Sequence, residues 1–153
     1  MYLKDIVLGI DFWQTIVHDD AYGNKVPYPG AIEVITQCCR KVKAVYIISR
    51  AGEAQRLRTL NWFAESGFHE KTGLPKHHVF FCGATHQKGI ISDKLGINCF
   101  IDDRPKVMAG ISRNVYRILF RPRVAEVDAF NMNHLKIVGG WNEIERIIFS
   151  DSF

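Results

Sequence analysis

The stretch Asn98-Cys99-Phe100-Ile101-Asp102-Asp103-Arg104-Pro105 decides how this chain reads, because an apolar run there ends in two adjacent carboxylates. The N-terminal part repeats the pattern: Ile6-Val7-Leu8-Gly9-Ile10 runs into Asp11, with Thr15 four residues further on. Each run has the form of a parallel strand, buried on both faces, that delivers acidic groups at its C-terminal end. Open α/β sheets bind ligands at that edge. Carboxylates gathered there repel one another unless a cation lies between them. Oxygen-only ligands favour a hard ion such as Mg²⁺. The pairing points to phosphate chemistry.

Outward from these two runs, strand and helix patterns alternate. Phe12 to Tyr28 carries turn formers (Asp19, Asp20, Gly23, Asn24) between short apolar pieces and reads as a flap of hairpin type. Pro29-Gly30 opens a helix to about Lys41, with Ile32, Val34, Ile35 and Cys39 inward. Val42–Ser49 is the second strand. Ala51 to Ser66 is helical, with Leu57, Leu60, Trp62, Phe63 and Ala64 as its apolar stripe and Gly67 as its stop. Val79–Cys82 is the third strand, followed by a helix over Gln87–Leu95 that ends at Gly96. Ile97–Ile101 is the fourth strand, and Pro105–Ser112 a short helix with Pro105 in its first turn. Val115–Phe120 is a fifth strand, His134–Val138 a short sixth or edge segment, and Trp141–Phe149 a terminal helix. Arg121 to Asn133 reads as a loop. Such alternation predicts a doubly wound, mainly parallel Rossmann-like sheet with right-handed crossovers.

Size and composition fit that expectation. A chain of 153 residues is expected to be a single domain spanning 1–153, large enough to bury roughly 68–70% of its unfolded surface. With 20 basic and 16 acidic residues the net charge is +4, compatible with a phosphorylated or nucleic-acid ligand without requiring one. Cys38, Cys39, Cys82 and Cys99 show no zinc-type spacing and read as buried thiols of a reducing compartment. No signal-like segment opens the chain and no run approaches about 18 apolar residues, so a cytoplasmic location without membrane contact is expected.

Four stations recur at strand ends: Asp11 with Thr15, Ser49 with Arg50, Lys88, and Asp102 with Asp103. In this order they resemble the haloacid dehalogenase-like hydrolase superfamily, over roughly Ile6 to Phe120. Tyr28-Pro29-Gly30-Ala31-Ile32-Glu33 is similar to the entry into that family's first helix, and Ile101-Asp102-Asp103-Arg104-Pro105 to the ending of its nucleotidase branches. The resemblance implies an aspartate nucleophile, Asp11, forming a phosphoaspartate. It implies one Mg²⁺ held by Asp11, the Trp13 carbonyl and the acidic pair, with Asp103 the first choice as direct ligand and Asp102 close behind. Ser49 is then expected to bind a phosphoryl oxygen and Lys88 to hold Asp11 and the phosphate. Thr15, Arg50 and Trp13 complete the expected substrate contacts.

Two residues depart from the family pattern. Its phosphatases carry a second Asp two residues after the nucleophile, as acid and base. Here that residue is Trp13, which transfers no proton. General acid–base help is worth about 10²–10⁴-fold, so the reading divides into a slow phosphatase, a hydrolase of another bond, and a non-catalytic protein that binds phosphate or a partner. His18, Asp19 or Asp20 in the flap is the alternative source of that proton, the less favoured reading. Gln14 stands where the family has Gly, making a less glycine-like turn and a side chain able to enter the pocket. No insertion is long enough for a cap domain. An open site suits a phosphorylated small molecule, a nucleotide or a macromolecular phosphate end. Arg117, Arg121 and Arg123 form a weak nucleic-acid signal that reads better as a solvated strand end. His77, His78 and His86 lack ligand spacing and read as loop surface.

Overall fold

The computed structural model describes residues 1–123 and 135–150. Six strands form one parallel sheet: β1 (Val7–Ile10), β4 (Ala44–Arg50), β5 (Val79–Cys82), β6 (Cys99–Asp102), β7 (Tyr116–Phe120) and β8 (Leu135–Val138). Their spatial order is β5-β4-β1-β6-β7-β8. The chain builds outward from β1 to one edge, then returns to start again on β1's other side. The reversal falls between β1 and β6, where doubly wound sheets open their ligand crevice. All residues of β1 and β6 are buried, as their unbroken apolar runs require. Ile10 pairs with Ile101, and the Asp11 N–H donates to the Ile101 carbonyl at 2.9 Å. That register sets Asp11 opposite Asp102 at the crevice.

The helices α1 (Ala31–Lys41), α2 (Glu53–Ser66), α3 (Phe68–Thr72), α4 (Gln87–Leu95), α5 (Pro105–Ala109) and α6 (Trp141–Phe149) connect or cover the strands. The expected doubly wound architecture is therefore present, and β8 joins as the sixth, parallel strand. The flap is a hairpin, with β2 (Val17–Asp19) antiparallel to β3 (Lys25–Pro27). Asp20 Oδ1 accepts from the Tyr22 and Asn24 N–H groups and closes its turn. The expected loop over 121–133 lies outside the described residues from 124 onward. No helix among the described residues is long and apolar enough to cross a membrane.

Two packing expectations need correction, and one helix was not foreseen. On α2 the buried residues are Thr59 and Phe63, while Leu57 and Leu60 are about half exposed and Ala64 is exposed. Thr59 Oγ1 donates to the Gln55 carbonyl at 2.9 Å, so its hydroxyl enters the core already satisfied. Phe63, one helical turn on, joins Phe12, Trp62 and Phe68 in an aromatic cluster. On α1 the fully buried cysteine is Cys38, whereas Cys39 is half-buried. Immediately after the αL stop at Gly67 the chain forms α3, which sequence reading missed. All four cysteines are free, and burial raises each thiol above its ordinary range.

Candidate active site

Asp11 leaves β1 buried and is held from two sides. Lys88 Nζ donates to its Oδ1 at 2.8 Å, and Thr15 Oγ1 donates to its Oδ2 at 3.0 Å. Lys88 also reaches Asp102 Oδ2 at 2.7 Å, bridging the two strand ends. Burial alone would lower the Lys88 pKa. The charges of Asp11 and Asp102, with a hydrogen bond to each, outweigh burial and hold the ammonium above the usual lysine range. Lys88 can lie so deep because its neighbour is Gly89: a Cβ there would strike the Gly110 carbonyl oxygen just past α5. Gln87 fastens the start of α4, its Oε1 accepting from the Gly83 and Ala84 N–H groups at 2.8 and 3.1 Å.

Asp11, Asp102 and Asp103 present carboxylate oxygens within 4.8 Å of one another. With all three ionised, the carboxylates facing one ammonium leave two negative charges, the complement of a divalent ion, and the all-oxygen donor set suits a hard one. The carboxyl groups register this excess. Burial first, and then the charge of Asp11, pushes the Asp102 and Asp103 pKa values up. Asp102 is fully buried and uses Oδ2 on Lys88 and Oδ1 on the Arg104 N–H, at 3.1 Å. Asp103 instead faces the open cavity.

That cavity, of about 570 Å³, has Asp11, Lys88 and Asp103 at its base and Trp13, Gln14 and Arg50 among its walls. Ser49 lies at the end of β4, 1% exposed, and its hydroxyl has no partner. Arg50 is exposed and its Nη1 donates to Thr85 Oγ1 at 3.2 Å. Thr15 is fully buried, with its hydroxyl committed to Asp11, and it does not line the cavity. Trp13 is half-buried: it meets Phe12 edge-on and carries Lys25 Nζ 4.3 Å from its ring centroid. It therefore both packs under the flap and walls the cavity.

Gln14 corrects one expectation. Its φ is 61°, so the turn keeps the left-handed, glycine-like conformation despite the larger residue. Its side chain does enter the cavity wall, where Oε1 accepts from the Tyr28 hydroxyl at 3.2 Å. Neither cavity at this edge is lined by His18, Asp19 or Asp20. The arginines expected at one strand end are split. Arg117 is buried and donates to the Met108 carbonyl at 3.1 Å, while Arg121 and Arg123 face a neighbouring cavity. Among the histidines, His78 is half-buried and engages the Val45 carbonyl at 2.9 Å. Sequence reading missed Trp141, whose Nε1 donates to the Thr15 carbonyl at 2.9 Å and ties α6 to the turn after Asp11. No motif marks that contact; only a Trp at the start of a helix hints at it.

The six-stranded parallel sheet with its flanking helices has the fold of the haloacid dehalogenase-like hydrolases. The chain is similar to a Bacillus cereus protein named "Putative nucleotidase", at 26% identity over 92% of this chain and 70% of that protein. Among solved structures, D,D-heptose 1,7-bisphosphate phosphatase from Burkholderia thailandensis superposes with a TM-score of 0.65. The identity is 13%, with 96% of this chain and 100% of that chain covered. A Burkholderia xenovorans structure, a "putative haloacid dehalogenase-like hydrolase", gives a TM-score of 0.60 at 14% identity over 82% of this chain. The chain spans 58% of that protein's length. No protein-family profile matches the chain.

Proposed function

We propose that the protein is a Mg²⁺-dependent phosphatase that uses Asp11 as nucleophile. One observation carries this reading: a buried, doubly anchored carboxylate shares the crevice with two further carboxylates and a single ammonium. Asp11, Asp103 and the Trp13 carbonyl would hold the ion, with Asp102 beside them. When bound, it supplies neutralisation of the phosphoryl oxygens during transfer. Asp11 attacks phosphorus, the P–O ester bond breaks, and an acyl phosphate forms on Asp11. Lys88 and Thr15 hold the attacking carboxylate in line. Ser49, whose hydroxyl is otherwise unspent, donates to a phosphoryl oxygen. The departing alkoxide takes its proton from water, since Trp13 offers none. A second water then cleaves the acyl phosphate, releasing phosphate and restoring Asp11.

A binding protein without turnover is the second reading, favoured by Trp13 at the position where proton transfer belongs. Crystals soaked with millimolar Mg²⁺ and a phosphate mimic test the first. Octahedral oxygen coordination at about 2.0–2.1 Å including Asp11 and Asp103 is expected. A mimic bound without metal, away from Asp11, favours the second.

A further inference from the structure

On the far side of Asp103 lies a second cavity of about 490 Å³, lined by Gln14, Tyr28, Asp103, Arg104, Arg121 and Arg123. Gln14, Asp103 and Arg104 line both cavities, so the two adjoin along one wall. The three arginines are exposed, and among the described residues none is in an ion pair, both close ion pairs there belonging to Lys88. Arg121 stands at φ 44°, in the left-handed region that favours glycine. Its N–H donates to the Val138 carbonyl at 2.9 Å, and its guanidinium lies over the Tyr28 ring, 5.4 Å from the centroid. β7 thus ends in a strained turn that directs a cation back toward the crevice. The Tyr28 hydroxyl bonds to Gln14 and joins this wall to that of the first cavity.

Three guanidiniums line this cavity against one carboxylate, Asp103, and guanidinium forks match oxyanions in bidentate geometry. We propose that this cavity is a second oxyanion subsite. The substrate is then a small molecule with two anionic groups: a phosphate ester at Asp11, and a second phosphate or carboxylate held by Arg104, Arg121 and Arg123. The proposal rests on the phosphatase reading of the first cavity, and it names the class of molecule that site would take.

The test uses Asp11→Asn protein, which cannot turn over, in saturating Mg²⁺. Calorimetric titrations compare propyl phosphate, propane-1,3-diol bisphosphate and the phosphate ester of 3-hydroxypropionate. Either or both dianchored ligands should bind about tenfold or more tightly than propyl phosphate. Which of them does so identifies the second group. Adding Arg121→Gln and Arg123→Gln should abolish the preference and leave propyl phosphate affinity unchanged. If that variant does not fold, Arg104→Gln, outside the strained turn, should reduce the preference instead. Equal affinities, no binding of any ligand, or a preference that survives the arginine changes overturns the subsite. Wild-type turnover separates the two readings. A preference in binding without hydrolysis of any ligand refutes the phosphatase and keeps the subsite. Hydrolysis with equal affinities does the reverse.

Discussion

The two sides of the Asp11 crevice are held in different ways. On the sheet side Asp11, Lys88 and Asp102 are each at most 5% exposed and are tied by short charged bonds between adjoining strand ends. On the flap side Trp13 is half-buried and Gln14 is exposed, held by ring contacts and one hydrogen bond. Backbone register sets the sheet side: once Ile10 pairs with Ile101, the carboxylates have nowhere else to go. The flap is a two-stranded hairpin rooted in the core by Val17, while Trp13 and Gln14 before it face the cavity. The residues that depart from the family pattern, Trp13 and Gln14, both belong to the flap side. The carboxylates proposed to hold metal and phosphate therefore lie on the tightly tied side, and the residues that would alter the proposed reaction lie on the other.

Lys88→Met tests the rigid side with the largest expected effect. It strands two buried carboxylates, which should cost about 3–5 kcal/mol of stability in Mg²⁺-free buffer. Chemical denaturation reads it, and a loss below about 1 kcal/mol would mean that the bridge does not hold the sheet ends. Trp13→Asp tests the flap side. It restores a proton donor and acceptor and should raise turnover of an unactivated phosphate ester by about 10²-fold, the low end of the general-acid range, because removing the ring also leaves a cavity. An activated ester should gain less. No gain on either, in a folded variant that binds Mg²⁺, would favour the binding-protein reading.

Titration distinguishes the sides again. Asp102 and Asp103 have folded-state pKa values above the ordinary Asp value of about 4. Their contribution to the metal-free fold is therefore complete below about pH 4 and is lost as pH rises through the folded values. A divalent ion competes with those protons, so its stabilisation should grow with pH. At a hundredfold excess over its dissociation constant Mg²⁺ adds about 2.7 kcal/mol, and the thermal shift should be larger at pH 8 than at pH 5. A shift independent of pH would place the ion elsewhere. The smallest effect is expected from Gln14→Gly. Relief of the left-handed conformation, about 1–2 kcal/mol, is offset by glycine's greater freedom when unfolded, about 0.5–1 kcal/mol. The net gain in a melting experiment should not exceed about 1.5 kcal/mol. A clear loss would show that the Gln14–Tyr28 contact outweighs the backbone.

The rigid side was also the legible side. Apolar runs ending in Asp11 and in Asp102-Asp103 carry strand, edge and charge in one pattern, and Lys88 follows from the helix start after β5. Thr59 was not legible, because its hydroxyl is satisfied inside its own helix and polarity no longer reports burial. The leucines of α2 misled for the complementary reason: an apolar helix residue need not face inward. The turn that ends β7 rests on a positive φ at Arg121 that its residue type does not announce. Trp141 reaches Thr15 across 126 residues, a distance that local patterning does not span.

Turnover of a generic aryl phosphate tests the central claim most directly, with Mg²⁺, with chelator, and with Asp11→Asn protein purified alongside. The account predicts hydrolysis that requires Mg²⁺ and disappears in Asp11→Asn protein. Hydrolysis that persists in chelator, or in the Asp11→Asn protein, would contradict it.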